Sequence, residues 1–279
     1  MLASLVIVFR EVIEAGLIVG IVLAATRSVP RRGWWVAGGV LAGTLGACAV
    51  AGFAGELGAL FNGSGQELFN AAILVIAVAM LTWHNGWMAS HGRELAREVR
   101  AVGSAVAAGD RPLTAVAVVV GIAVLREGSE VVLFLYGILA AGGTSVAGMM
   151  AGGAIGVALG AALSAMIYFG LLALPTHRLF TVTTGLITLL AAGLGAQAVF
   201  FLQQADYFQN LASPLWDTSW LLRDDSIVGR LLHTLMGYTA TPDAAQLLAY
   251  ALVIALMLAT MRVARGRMTT SRQAARSAP

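Results

Sequence analysis

The sequence predicts an all-α integral membrane protein of seven transmembrane helices, and three observations carry that expectation. First, 59% of the 279 residues are hydrophobic and 11% are charged, with a mean hydropathy of +0.84. Soluble domains hold about 45–50% apolar and about 25% charged residues. Second, the apolar residues gather in runs of about 20, the length an α-helix needs to cross about 30 Å of hydrocarbon. Third, the arginines alternate between successive connections as membrane topology requires.

The seven spans fall at about 2–25, 34–55, 68–88, 113–140, 147–172, 179–203 and 243–262. The first is expected to stay in the mature protein. No basic region precedes Leu2, and Arg10, Glu11 and Glu14 interrupt the run, so it does not read as a signal peptide. The connections after spans one, three and five, with the tail, carry 13 of the 17 basic residues, all of them arginine. The opposite side carries Arg223 and Arg230 against seven acids: Glu56, Glu67, Asp206, Asp217, Asp224, Asp225 and Asp243. The positive-inside rule then places the N-terminus outside and the basic tail, 263–279, in the cytoplasm. Trp34, Trp35, Trp83 and Trp87 fall at the inner interface by this count, and Trp216 and Trp220 in an outer loop at about 204–242. In that loop, Asp224-Asp225-Ser226 reads as the cap of a short amphipathic helix, lying on the membrane or over a pore mouth. Thr241-Pro242 reads as the start of the last span.

The chain also repeats itself. Span one carries Arg10-Glu11-Val12-Ile13-Glu14 and span four carries Arg126-Glu127-Gly128-Ser129-Glu130. Span two holds Gly39 and Gly43, and span five holds Gly148, Gly152, Gly156 and Gly160, ladders of the kind that let helix backbones approach. Residues 2–88 and 113–203 therefore read as two copies of a three-span unit in opposite orientations, with the last helix appended to a single membrane domain. Inverted repeats place a binding site near the midplane, where the copies meet.

Both charged motifs sit at the centre of their spans. Each ionised residue at that depth costs about 2.5–3.5 kcal/mol, so six cost on the order of 15–20 kcal/mol if unpaired. That exceeds the stability of a typical domain, about 5–15 kcal/mol. At about 100° per residue, the arginine and both glutamates of each motif share one face of the helix. Two such faces meeting would enclose four carboxylates and two guanidiniums, a net charge of −2. Three readings fit: structural ion pairs, a proton relay, or a site for a multivalent cation with hard oxygen ligands, such as Mg, Ca, Mn or ferric iron.

RExxE in the first and fourth of seven helices, as REVIE and REGSE, resembles the oxidase-dependent iron permease family, which includes the yeast high-affinity iron permeases and bacterial iron permeases. The resemblance spans essentially the whole chain. It implies iron import across the cytoplasmic membrane, with iron as cargo and no permanently bound cofactor. Glu11, Glu14, Glu127 and Glu130 are then the ion ligands, and Arg10 and Arg126 their electrostatic partners. It also implies separate periplasmic partners: a haem peroxidase or oxidase, and an iron-binding protein. The chain lacks the large N-terminal extracytoplasmic domain of some bacterial members and the acidic outer cluster of fungal ones, and so looks like the compact bacterial form. Relatives that take up lead belong to the same resemblance, which keeps lead or manganese as the alternative cargo.

Other polar residues invite smaller roles. Glu56 and Glu67 flank the first outer loop, where they attract cations or are simply solvated. His84 and His91 come where span three ends, as exit-side ligands or as interfacial histidines packed by Trp83 and Trp87. The basic pI near 9.5 does not signal nucleic acid, because the arginines follow topology. The lone Cys48 excludes a disulfide framework, no MxxM run marks a copper path, and no GxxxxGK[ST] loop for ATP hydrolysis is present. No nucleophile–base pair at matched depth suggests an enzyme.

Overall fold

The computed structural model describes residues 1–60, 66–141, 145–170, 176–207, 211, 213–224 and 226–276, with side chains of 54–60, 89, 93, 176–180, 227, 230, 231, 234, 235 and 264–276 outside the description. Eight α-helices are present among the described residues: α1 (Leu2–Ala25), α2 (Arg32–Leu60), α3 (Gln66–Ala108), α4 (Thr114–Ala140), α5 (Val146–Tyr168), α6 (Thr176–Gln204), α7 (Ile227–Met236) and α8 (Ala244–Arg276). Five are long and apolar enough to cross a membrane, within α2, α3, α5, α6 and α8. The other two long helices, α1 and α4, have 24 and 27 residues and each carries an RExxE motif. Leu41, Leu45, Phe53, Ile76, Ile122, Met150, Leu248 and Leu252 all point outward, an apolar surface far larger than a soluble monomer presents. The chain is a multi-pass membrane protein.

Glycine sets the closest helix pairs. On α5, Gly156 abuts Leu5 and Phe9 of α1, and Gly160 abuts Phe9 and Val12. On α2, Gly39 lies against Ala117 and Val120 of α4, and Gly43 against Gly121 and Val124. A Cβ at Gly43 would stand 2.6 Å from the carbonyl oxygen of Gly121, and one at Gly156 would stand 2.8 Å from that of Leu5. These are the two most extensive helix pairs, α1 with α5 and α2 with α4, and both run parallel; α3 packs next most closely on α6. Exchanging α1 with α4, α2 with α5 and α3 with α6 leaves these three pairings unchanged.

Two apolar clusters occupy the two ends of the interior. Ala3, Ile7, Leu74, Leu81, Phe134, Ile138 and Ile187 pack at the end where α1 begins. Ile18, Val22, Val99, Val116 and Val120 pack at the end where α1 finishes. Early residues of α1 thus meet late residues of α4 and the reverse, so the two motif helices run in opposite directions.

Three expectations are corrected. The segment after residue 88 is not a loop: α3 continues to Ala108, with Val99 and Val106 packed inward and Gly103 against Ala25, while Glu94, Arg97, Glu98 and Arg100 stay exposed. Those charges end the hydropathy window without ending the helix. Likewise α8 runs on to Arg276, so the basic tail is a continuation of the last helix over most of its length. Its start is not Thr241-Pro242 either. Asp243 accepts the Gln246 backbone N–H at 2.8 Å, capping a helix that begins at Ala244.

The segment before α8 is built rather than loose. Ser226 caps α7 by accepting the Gly229 N–H at 2.9 Å. Asp224 instead accepts the Ala240 N–H at 2.9 Å, tying the segment to the residues after α7. Asp225, the other expected cap, lies outside the described residues. The short helix α7 packs on α6 and on α1.

Candidate metal centre

The geometry of an α-helix explains how each motif works locally. In α1, Arg10, Glu11, Ile13 and Glu14 are buried, while Val12 turns onto Gly160 of α5. In α4, Glu127 and Glu130 are buried, while Gly128 turns toward Ala47 of α2. The first, second and fifth residues of each motif therefore form the charged face, and a middle residue carries the close helix contact. Within α1, Arg10 Nε lies 2.9 Å from Glu14 Oε1, and Nη1 lies 3.5 Å from Glu11 Oε1. Within α4, Arg126 Nε lies 3.3 Å from Glu130 Oε1 and 3.8 Å from Glu127 Oε1.

The two faces meet, and His84 of α3 stands between them. Its Nε2 lies 3.3 Å from Glu14 Oε2 and 3.9 Å from Glu11 Oε2, while its Nδ1 faces Glu130 Oε2. Ligand atoms from Glu11, His84, Glu127 and Glu130 all lie within 4.8 Å of one another. One oxygen of each motif glutamate, Oε2 of Glu11, Glu14, Glu127 and Glu130, is buried and has no hydrogen-bond partner among the described residues, and the same holds for both ring nitrogens of His84. Buried carboxylate oxygens left in this state are costly unless a charge meets them. Apolar clusters lie at both ends of the site, and low-dielectric surroundings of that kind strengthen the electrostatic interactions between them. Chemically, the arrangement suits holding a cation.

His84 is therefore not an interfacial residue. It is 2% exposed and level with the motifs, because α3 is far longer than its apolar window and His84 falls near its middle. Trp83 does not pack on it and turns outward, 75% exposed. Trp87 instead carries the Arg126 guanidinium 4.1 Å above its ring, and His91 stacks on the same indole. The other flanking candidates lie elsewhere. Glu67 is in the first turn of α3, about 25 Å along the helix from His84 at 1.5 Å per residue. The Glu56 side chain lies outside the described residues. Sequence reasoning missed the central position of His84 and the seat that Trp87 provides. The available signal was a polar pair, His84-Asn85, inside a continuous helical pattern whose centre lies near residue 87.

Known proteins bear on this geometry. Residues 1–273 match the Iron permease FTR1 family. The ferrous iron permease EfeU of Shigella sonnei is 31% identical over 281 residues, covering 98% of this chain and all of that protein. The ferrous iron permease EfeU of Escherichia coli O157:H7 matches to the same extent. That of Yersinia pestis is 32% identical over 263 residues, covering 90% of this chain and 89% of that protein. No solved structure matches the chain. Family and relatives alike are permeases and not enzymes, and the chain belongs to the FTR1 iron permease family.

Proposed function

We propose that this protein imports ferrous iron across the cytoplasmic membrane through the buried cluster, with Glu11, Glu14, Glu127 and Glu130 as the carboxylates that receive the ion. The observation that carries the reading is the convergence of both RExxE faces on one point, with carboxylate oxygens that lack partners. Four carboxylates outnumber two guanidiniums, an excess of negative charge that calls for a multivalent cation. The names of the relatives specify ferrous iron. Seven spans in an inverted three-plus-three arrangement, with the N-terminus outside and the last helix appended, are the topology we assign. The exchange-invariant helix pairing and the arginine distribution support it.

Transport is then an exchange of partners. An ion entering between the motifs sheds water and displaces an arginine from its carboxylates. Arg126 is the one that leaves: its side chain is 34% exposed against 3% for Arg10, and Trp87 gives it a second seat. Because α1 and α4 run in opposite directions, Arg10 closes the carboxylate layer on one side and Arg126 on the other. Rocking of one three-helix unit against the other releases the ion inward. A divalent ion gains about 4.6 kcal/mol from 100 mV of membrane potential, at about 2.3 kcal/mol per charge. A periplasmic iron-binding protein would deliver the ion; a haem peroxidase or oxidase converts ferrous to ferric iron and belongs to the reading in which ferric ion is the cargo.

Proteoliposomes test this with radiolabelled iron, offered as ferrous ion under ascorbate or as ferric citrate. Wild type is expected to accumulate ferrous iron, and Glu11→Gln/Glu127→Gln to accumulate none. Equal uptake by the double variant would remove the ion from these carboxylates. Lead or manganese uptake exceeding iron uptake would favour the alternative cargo.

A further inference from the structure

We propose that the ion is held by three carboxylates and one imidazole, Glu11, Glu127, Glu130 and His84 Nδ1, while Glu14 holds His84 in place rather than binding the ion. The proposal rests on the permease reading above and divides its four glutamates into two roles.

Geometry makes the division. Glu14 lies beside two basic groups, with Oε1 at 2.9 Å from Arg10 Nε and Oε2 at 3.3 Å from His84 Nε2. It is the motif carboxylate that does not join the group of ligand atoms within 4.8 Å of one another. A metal-bound histidine characteristically turns its second ring nitrogen to a carboxylate, which sets the tautomer and ring orientation. Arg10–Glu14–His84 has that form. With the proton on Nε2, on the side of Glu14, the Nδ1 that faces Glu130 Oε2 carries a lone pair, and a cation joins these two acceptors. Glu11 Oε2 and Glu127 Oε2 complete the donor set; like Glu130 Oε2 and His84 Nδ1 they are buried without a hydrogen-bond partner among the described residues, and Glu14 Oε2 shares that state but lies outside the group. His84 is buried at 2% exposure, so no water competes for its ring.

The donor set determines the class of cargo. Carboxylates alone suit calcium, magnesium and manganese, whereas imidazole nitrogen favours iron and the later first-row divalent ions. One nitrogen among three oxygens favours a first-row transition ion and disfavours the abundant calcium and magnesium. His84 is then the specificity-determining residue.

The test uses the full-length protein in lipid nanodiscs, labelled with 15N-histidine and loaded with Mn(II) alone as a paramagnetic probe. Pulsed electron paramagnetic resonance is expected to show a histidine nitrogen coupled to the manganese, and His84→Gln to lose it. Anaerobic competition binding is expected to show the preference for Fe(II) over Ca(II) falling at least tenfold in His84→Gln. In Glu14→Gln, which still offers an acceptor to Nε2–H, the nitrogen coupling is expected to persist, with affinity reduced by about 10–100-fold. Wild-type protein that binds Mn(II) through Glu11 and Glu127 without nitrogen coupling would overturn the proposal and leave the permease reading standing. That measurement needs no His84 variant to fold. Ion binding unchanged in Glu11→Gln/Glu127→Gln would overturn both readings.

Discussion

The two RExxE motifs share a pattern and a depth but not an environment. Arg10 is enclosed, 3% exposed, on a helix that α3, α4, α5 and α6 all touch. Arg126 is 34% exposed and lies over Trp87 on a helix packed by α1, α2 and α3. The contrast teaches that the motif specifies a charged helix face and the packing specifies how firmly that face is held. One arginine is locked into the fold, and the other has somewhere to go.

The largest expected effect breaks the locked side. Arg10→Ala leaves Glu11 and Glu14 buried without their cation and should destabilise the protein by about 3–5 kcal/mol, the usual result of removing one partner of a buried pair. Arg126→Ala should cost about 1 kcal/mol, as for a partly solvated ion pair. Chemical unfolding of both variants in the same detergent measures the difference, and equal losses would erase the contrast. Next come the glycine ladders, where the two halves should behave alike. Gly43→Leu and Gly156→Leu each drive a side chain into a neighbouring backbone, so each should cost at least about 1–3 kcal/mol, the range for overpacked cores. A loss confined to one would mean that one helix pair carries the fold alone. The smallest effect sharpens the mobile side. Trp87→Leu removes a cation–π contact of about 0.5–2 kcal/mol and should change the rate of iron uptake in proteoliposomes while leaving Fe(II) affinity within a few-fold. A parallel loss of affinity would make Trp87 part of the binding site.

The motifs were legible in the sequence because charge at mid-membrane is too costly to be incidental and because helical spacing assigns it a face. Glycine ladders were legible for a similar reason: glycine at intervals of four serves close backbone approach, and Gly39, Gly43, Gly156 and Gly160 are found at such contacts. The cap of the last helix was misread because Thr241-Pro242 and Asp243 are both good local signals, and only the backbone path shows which carboxylate reaches the Gln246 N–H. His84 was misplaced because hydropathy averages over a window, and the charged, exposed residues after Met88 lower that average on a helix that does not stop.

Class and chemistry, then, were determined by the sequence alone: a helical membrane protein with a paired carboxylate motif, because composition and periodicity act within a single segment. Tertiary structure alone decided that α3 inserts His84 between α1 and α4, and that Trp87 supports one arginine and not the other. These are relations between segments far apart in the chain. They follow from how the glycine-bearing faces nest, and no local pattern encodes the register at which separate helices meet.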